Sequence, residues 1–321
     1  MINFNKILET NQILLRPLKQ GDYDILKKIS GDTGLWTYFT NDLSDQDELK
    51  KWIETGVKET KIKKRLVFLI VDKQTNSIAG STSIGNISER DKRVEIGWTW
   101  LGREFQGKGI NDAVKYLLLK YCFDELNCER VEFKTDILNK PARNALKRIG
   151  AVEEGVLRSH TLMTHKRRRD TIYYSILRHE WKEIQMKNNF LGKWDLIPDK
   201  SEYERGIPPL KATYEFIKGK NNGFDVFINW MDEEGKEFEV EYQTVPDGQR
   251  KKYENPQVAD EVMSEFESEF ILNSYTFKDG EVIAFASRII ESEGKMKVIQ
   301  RFFTAGGKHF DNIQYYQKAV L

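Results

Sequence analysis

The segment Gly102–Asp112, GREFQGKGIND, decides how the first half of this 321-residue chain is read. It follows VEIGWTWL (94–101), a strand pattern, and precedes Ala113, Val114, Leu117, Leu118 and Tyr121, which fall on one face of a helix. A glycine loop between a strand and a helix gathers backbone N–H groups at the helix N-terminus, where the helix dipole favours a phosphate. A nucleotide P-loop, G-x-x-x-x-G-K, must continue with a Ser or Thr that ligates magnesium. Gly102, Gly107 and Lys108 match its start, but Gly109 occupies the hydroxyl position. A dinucleotide fingerprint, G-x-G-x-x-G, finds Gly107 and Gly109 and then meets Asp112.

Around this loop, strand and helix patterns alternate. Ile13–Leu18 reads as a strand, and Gly21-Asp22 leads into a helix through Ser30. Ser44 with Asp47 three residues on has the form of a capping box, opening a helix toward Thr60. Leu66–Val71 suits a strand buried on both faces, followed by strands at Ile78–Ile84 and Val94–Leu101. Arg130–Thr135 is a strand, Pro141–Ile149 a helix closed by Gly150, and two last strands lie within Val152–Leu177. The order predicts an α/β or α+β domain around a central mixed sheet. The second half changes period. Phe238, Val240 and Tyr242 alternate with glutamates, and similar strands appear at 212–217, 224–230, 269–277, 282–290, 298–304 and 314–318. Asn222-Gly223, Glu234-Gly235, Asp247-Gly248, Asp279-Gly280 and Gly306-Gly307 punctuate them as hairpin turns, predicting an antiparallel barrel or sandwich.

Lys and Arg number 51 against 50 Asp and Glu, which argues against a dedicated nucleic-acid or anionic-membrane binder. The balance hides a split: residues 1–186 carry 33 basic and 26 acidic side chains, residues 187–321 carry 18 and 24. The change falls at Lys182–Asn189, read here as a linker between domains 1–186 and 187–321. The basic half could attract an anionic cofactor, or each module could simply be solvated by its own charge. Two cysteines, Cys122 and Cys128, make no disulfide framework. The start lacks the order of a signal peptide, and no apolar run reaches membrane-spanning length, so a cytoplasmic protein is expected.

QGKGIN, residues 106–111, resembles the pyrophosphate loop Q/R-x-x-G-x-G/A of the GNAT superfamily of acetyltransferases. Gln106 and Gly109 match, and Asn111 departs from the small final residue. LLRPL (14–18), VEIGWTWL (94–101), FKTDILNKPARNALKRIG (133–150), GVLRSH (155–160) and RDTIYYSI (169–176) resemble that family's segments in its order, in the branch of the ribosomal-protein N-terminal acetyltransferases, over about residues 7–183. The resemblance implies a cleft between two splayed parallel strands. Acetyl-CoA would lay its pantetheine arm on the open edge of Thr99, Trp100 and Leu101, with its pyrophosphate on the amides of Gly107, Lys108, Gly109, Ile110 and Asn111 beside Gln106. It implies an amine-bearing acceptor, either a protein N-terminus or a small molecule, and no metal.

Acetyl transfer needs a base for the amine, a polarised carbonyl and an acid for the thiolate. Glu95 is the candidate base, acting through water; alternatively it is a solvent-facing strand glutamate paired with Arg93 or Lys92. Asn139 either contacts the cofactor or acceptor as a catalytic group, or caps the helix before Pro141. Arg143 either reaches the coenzyme's phosphates or is solvated. Where the related branch has a Ser, three residues after Asn139, this chain has Ala142, and Tyr173, Tyr174 and His160 are unranked substitutes for the acid. Lys166–Arg169 reads as a solvated loop in the last hairpin or, alternatively, as a site for an acidic substrate or nucleic acid. A coenzyme A-binding protein with little turnover is the alternative function.

Gly192-Lys193-Trp194 resembles the G-x-W entry of lipocalin-type barrels, and PDKS (198–201), PPLK (208–211) and YQK (316–318) are similar to a bacterial lipocalin-like domain over about residues 190–319. The resemblance implies a tryptophan across the barrel base under a basic side chain, Arg301 or Lys318. Trp230, Phe227, Tyr242, Phe270 and Phe285 are available to fill the interior, which otherwise holds an apolar ligand.

Overall fold

LVFLIVD, residues 66–72, has no polar position before its last, and such a strand must be covered on both faces. In the computed structural model, which describes residues 2–220, 223–292, 294–304 and 306–319, it lies inside a mixed sheet, with Leu66 to Ile70 fully shielded from solvent. The chain divides into two compact units, Met1–Trp181 and Lys182–Leu321.

The first unit runs β1 (Leu8–Glu9), β2 (Ile13–Pro17), α1 (Tyr23–Ser30), α2 (Gln46–Lys61), β3 (Leu66–Asp72), β4 (Ser77–Ser88), β5 (Arg93–Leu101), α3 (Ile110–Lys120), β6 (Arg130–Asp136), α4 (Lys140–Arg148), β7 (Val152–Leu162) and β8 (Arg168–Leu177). The sheet order is β1-β2-β3-β4-β5-β6-β8-β7. Only the β5–β6 pair is parallel among the described strands. α1 and α2 pack Leu26, Leu49 and Ile53 on Val67 and Leu69 of β3 with Trp36 and Trp100. The α2 cap differs from expectation by one residue: Asp45, not Ser44, accepts from the Asp47 and Glu48 amides, because Ser44 bonds Asp42 instead. The basic run is also not wholly solvated, since Arg169 is buried and donates to Thr171 Oγ1 at 3.0 Å.

The expected linker at Lys182–Asn189 is instead helical, part of α5 (Arg178–Phe190). Trp181, in the first unit, is buried, stacks on Phe123 at 5.6 Å and donates from Nε1 to Asp124 at 2.9 Å. Charge composition registers neither contact, and a polar surface helix reads like a linker.

The second unit is all-β: β9 (Gly192–Leu196), β10 (Glu202–Tyr203), β11 (Lys211–Lys218), β12 (Phe224–Met231), β13 (Glu237–Thr244), β14 (Lys251–Lys252), β15 (Glu261–Ser268), β16 (Ile271–Lys278), β17 (Glu281–Ser292), β18 (Lys295–Phe303) and β19 (His309–Lys318). They form one antiparallel sheet, β13-β12-β11-β9-β19-β18-β17-β16-β15-β14 with β10 also paired to β19, curled into a half-barrel. Its two ends approach where Asp247 bridges Glu265 and the Gly248 amide donates to Ser264. Asp247-Gly248 therefore joins the sheet's ends rather than turning a hairpin. Asp279-Gly280 does turn one, both residues taking positive φ (51° and 82°). Of the expected Asn222-Gly223 turn, Asn222 lies outside the described residues.

Trp194 is buried at one end of the curl, with the Lys318 ammonium 5.0 Å from its ring. Arg301 does not take that place, because it forms a two-pronged pair with Asp311. The core is Phe190, Tyr214, Phe216, Phe224, Leu272, Met296 and their neighbours, with Trp230 and Tyr242 against it. Phe227, Phe270 and Phe285 are not in it; Phe270 is 45% exposed and Phe285 packs on Tyr275. β15 escaped the sequence reading because Glu261, Ser264, Glu265 and Glu267 break its apolar alternation.

Trp181→Ala is expected to destabilise the first unit by about 3–5 kcal/mol, the usual cost of emptying a buried aromatic site. Urea unfolding of the full chain, read at the transition of the first unit, measures it.

Candidate active site

β5 carries one residue more than its partner can match. Ser81 pairs with Trp100 and Ser83 with Gly97, so two residues of β5 lie opposite one of β4. This bulge bends the strand. Trp98 takes φ 53°, a left-handed conformation costly for a tryptophan. On the other side β5 pairs with β6 only through Arg93, Val94 and Glu95. Beyond Glu95 the two strands part, while β6 stays paired to β8 through Asp136. The edge of Thr99, Trp100 and Leu101 thus faces an opening. Trp100's own side chain is core, against Trp36, so only its backbone can serve a ligand there.

The loop follows. Gln106 donates from Nε2 to the Leu101 carbonyl at 3.0 Å, tying loop to strand. Gly107 and Gly109 both sit at φ 75°, and a Cβ on either would meet nothing within 4 Å, so their faces are open. Gly109 is the N-cap of α3 with no side-chain cap, which leaves the first amides of the helix available. Lys108 is exposed, Asn111 half-buried, and Ile110 points into the core. Asp112, in the first turn, would oppose an anion, but Arg148 pairs with it at 3.1 Å.

Glu95 is 4% exposed, so it is not the solvent-facing glutamate that the pairing alternative supposed. Its Oε2 accepts from Asn86 Nδ2 at 2.6 Å and lies 2.9 Å from Lys134 Nζ, not from Arg93 or Lys92. Asn86 and Trp98 also line a cleft of about 730 Å³ that Trp52, Thr55, Glu59 and Arg65 share. The Trp98 ring lies 4.9 Å from the Arg65 guanidinium and 5.9 Å from Lys134. Asn86 lies outside every segment that carried the resemblance, and Trp98 and Lys134 lie inside two of them without any sign of their own.

Nor did any signal mark Lys115. It lies on α3 next to the apolar face, is 6% exposed, donates to Thr99 Oγ1 at 2.7 Å and lies 5.8 Å from the Phe133 ring. It therefore reaches both splayed strands. Burial pushes its ammonium down to about 7, against the opposing pull of Glu95.

The remaining expected residues stand apart. Asn139 accepts from the Ala142 amide at 3.1 Å and caps α4. Arg143 donates to Tyr174 Oη and the Ile137 carbonyl and pairs with Glu153; no described bond joins it to residues 107–111. Tyr174 is held by Arg143 and Glu153, while His160 contacts Thr171 and Tyr173. Cys122 is buried, which pushes its thiol well up, as a core cysteine's should be. Among the described residues no cluster of His, Cys, Asp and Glu could hold a metal ion.

Residues 12–152 match the family described as Acetyltransferase (GNAT) domain. The chain is 30% identical over 154 residues to a Bacillus subtilis (strain 168) protein described as "Putative ribosomal N-acetyltransferase YdaF", covering 46% of this chain and 80% of that one. It is 28% identical over 178 residues to the "Uncharacterized N-acetyltransferase p20" of Bacillus licheniformis, covering 54% and 97%. Among solved structures it is similar to a GCN5-related N-acetyltransferase from Brucella melitensis, with TM-score 0.53, 26% identity, and 58% of this chain and 88% of that one covered. An acetyltransferase described as putative, from T. thermophilus, gives TM-score 0.52 and 28% identity over 57% and 95%.

Lys115 makes stability depend on pH. Its ammonium is favoured in the unfolded chain up to about 10.5 and in the folded chain only up to about 7, so between these values the unfolded state binds more protons and stability rises with pH. The contribution is complete above 10.5 and lost as pH falls to 7. Lys115→Met is expected to be more stable than the parent at pH 6–7, with the gap closing by a few kcal/mol toward pH 10, at about 1.4 kcal/mol per pH unit. Urea midpoints of both proteins across that range measure it.

Proposed function

The chain belongs to the GNAT family of acetyltransferases, and from that premise we propose that it transfers an acetyl group from acetyl-CoA to a primary amine by direct attack on the thioester, with Glu95 as base. The observation that carries this reading is the buried Glu95 carboxylate at the point where β5 leaves β6, bonded to an Asn86 that also lines the 730 Å³ cleft.

The residues fit the co-substrate. A bound acetyl-CoA supplies an acetyl group activated as a thioester. The amides of residues 107–111 and the open faces of Gly107 and Gly109 suit a pyrophosphate. The unpaired edge from Thr99 to Leu101 suits an extended amide arm, as an added strand would. A backbone N–H of the same edge can donate to an oxygen that gains charge. On the other side, the amine enters the cleft beside Trp98. Glu95 takes its proton through a water, with Oε2 fixed by Asn86 and Lys134 and Oε1 on the side of Gly97. The relative's description as a ribosomal N-acetyltransferase favours a protein N-terminus as acceptor; the open cleft also suits a small amine. Asn139 and Arg143 support the site through α4 rather than by contact with the reacting atoms.

We read residues 1–186 as the catalytic domain and 187–321 as a lipocalin-like barrel, on the Trp194–Lys318 packing and the curled antiparallel sheet. Coenzyme A release, measured with a panel of peptide N-termini and small amines, tests the activity; no release with any amine would remove it.

Gly109→Trp is expected to abolish the thermal shift given by coenzyme A and to cost about 1–2 kcal/mol of stability without unfolding the protein, because its side chain meets no neighbour and fills the cradle but must take the left-handed backbone at φ 75°. At 100 times its dissociation constant the ligand should raise parent stability by ~2.7 kcal/mol. Glu95→Gln should lower turnover at neutral pH by about 10²–10⁴-fold with the coenzyme shift retained. Steady-state rates on the best acceptor measure it, and parental rates would reduce Glu95 to a buried strand residue.

A further inference from the structure

KETKIKKR, residues 58–65, carries five basic side chains at and beyond the end of α2, and acetyl transfer itself gives them no role. Lys63, Lys64 and Arg65 line the 730 Å³ cleft beside Asn86 and Trp98, and Lys51 joins them from α2. Arg65 is the most buried of the four: its side chain is 10% exposed, and its guanidinium lies 4.9 Å from the Trp98 ring. Glu59 Oε2 stands 2.7 Å from its Nε without the alignment of a hydrogen bond, and among the described residues no acceptor engages its Nη1 or Nη2. Gly85 keeps room for the pair, since a Cβ there would meet the Trp98 ring at 2.9 Å and Arg65 Cγ at 3.3 Å. A guanidinium held against a ring with both Nη groups free is a fork matched to a carboxylate.

Three glutamates also line the cleft, and they do not cancel these four cations. Glu59 is shared between Arg65 and Lys64, whose Nζ is 3.1 Å away. Glu48 accepts from Asn41 Nδ2 at 3.1 Å, and Glu89 is exposed in the turn between β4 and β5. Lys51 and Lys63 are exposed, and among the described residues no carboxylate pairs with either. An amine acceptor arrives as an ammonium, so such a wall repels one whose charges are all positive and favours one that brings its own negative charge. The spacing limits where that charge can sit. The Trp98 ring stands between Arg65 and Lys134, 5.9 Å from the latter, and Lys134 bonds Glu95 at 2.9 Å. A carboxylate at Arg65 and an amine near Glu95 are thus kept apart by an indole. An acidic side chain at the second or third position of a peptide spans that gap, at about 3.3–3.6 Å per extended residue. The carboxylate of a free amino acid, on the same carbon as its amine, does not.

We propose, on the footing of the acetyl-transfer reading, that the cleft selects acidic acceptors: a peptide N-terminus with Asp or Glu at its second or third position. The carboxylate docks on the Nη edge of Arg65, with Lys51 and Lys63 at the rim, while the amine lies on the Glu95 side of the Trp98 ring. Arg65 is thus a specificity-determining residue that touches the acceptor and not the reacting atoms. Polyamines and other multiply cationic amines are poor acceptors for the same reason.

The test is isothermal titration of the full chain, in excess coenzyme A, with peptide amides that differ chiefly in charge: Ala-Glu-Glu-Ala, Ala-Gln-Gln-Ala and Ala-Lys-Lys-Ala. The glutamate peptide should bind at least tenfold more tightly than the glutamine peptide, with the lysine peptide weakest. Arg65→Met should erase that difference while thermal unfolding shows it folded. No binding of the glutamate peptide, equal affinities, a preference for the lysine peptide, or an undiminished preference in folded Arg65→Met overturns the proposal. Should that variant not fold, the double variant Lys51→Glu with Lys63→Glu, both at exposed positions, decides: it must cut the glutamate preference at least threefold, and an undiminished preference overturns the proposal equally. Coenzyme A release from acetyl-CoA on the same peptides separates the acidic preference from acetyl transfer itself. Release at equal rates with equal affinities removes the preference and keeps the transfer; no release with the glutamate preference intact removes the transfer and keeps the acidic site.

Discussion

The additional residue in β5 is the constraint on which the first unit's site depends. Between Gly97 and Trp100 the strand must absorb one more residue than β4 offers, and it does so by turning Trp98 into the left-handed region. Three consequences follow from that local cost. The strand swings away from β6 after Glu95, leaving its edge unpaired. The Trp98 ring is placed between Arg65 and Lys134 at the wall of the cleft, and Thr99 is placed where Lys115 and Thr82 bond its hydroxyl. A regular strand would have kept pairing with β6 and closed the opening. Set against that strain are the contacts of Arg65 and Lys134 with the Trp98 ring and the hydroxyl bonds of Thr99 to Lys115 and Thr82.

Much of this frame was legible in the sequence and some of it was not, for a physical reason. Period and punctuation located most elements of the first unit to within a residue or two, since Leu66–Ile70 reads as a covered strand and Gly109 as a helix entry, but β4 runs four residues past Ile84 and the two-residue β1 carries too little pattern to be read. The phosphate cradle was legible because its backbone conformation demands glycine, and glycine is visible in a sequence. Lys134, Asn86 and Lys115 were not, because their significance is a distance between strands and helix, and each looks like an ordinary polar residue in its own segment. The same limit hid the end of the first unit: Trp181 within a charged helix carries no periodic signal of docking on Phe123. In the second unit, alternation identified strands wherever one wall is apolar and failed at β15, whose polar residues include the buried Ser264.

The two units treat a buried cation in opposite ways. Lys115 has a hydroxyl and a ring as neighbours with the Glu95 charge further off, and burial depresses its affinity for the proton until the neutral amine competes near pH 7. Arg288 has no such exit, since a guanidinium cannot shed its proton in a protein, and must be solvated by dipoles. Two phenols, a serine and a carbonyl do that in part. A lysine can shed its proton when buried, as the depressed ammonium of Lys115 shows. The choice of arginine keeps the charge at every physiological pH.

Glu95 completes the argument, because its two oxygens are not equivalent. Oε2 is engaged by Asn86 and Lys134, and among the described residues Oε1 has no hydrogen-bond partner. A Cβ at residue 97 would stand 3.1 Å from Oε1, so the absence of a side chain at Gly97 preserves the space there. That space lies at the last residue before the bulge, between the unpaired edge and the cleft. A carboxylate fixed by one oxygen and open at the other can pass a proton to or from a water without losing its position. The bulge, Gly97 and the Asn86–Lys134 clamp therefore act as a single device: the first opens the strand edge, the second clears room beside the carboxylate, and the third keeps the carboxylate from following the strand as it turns away.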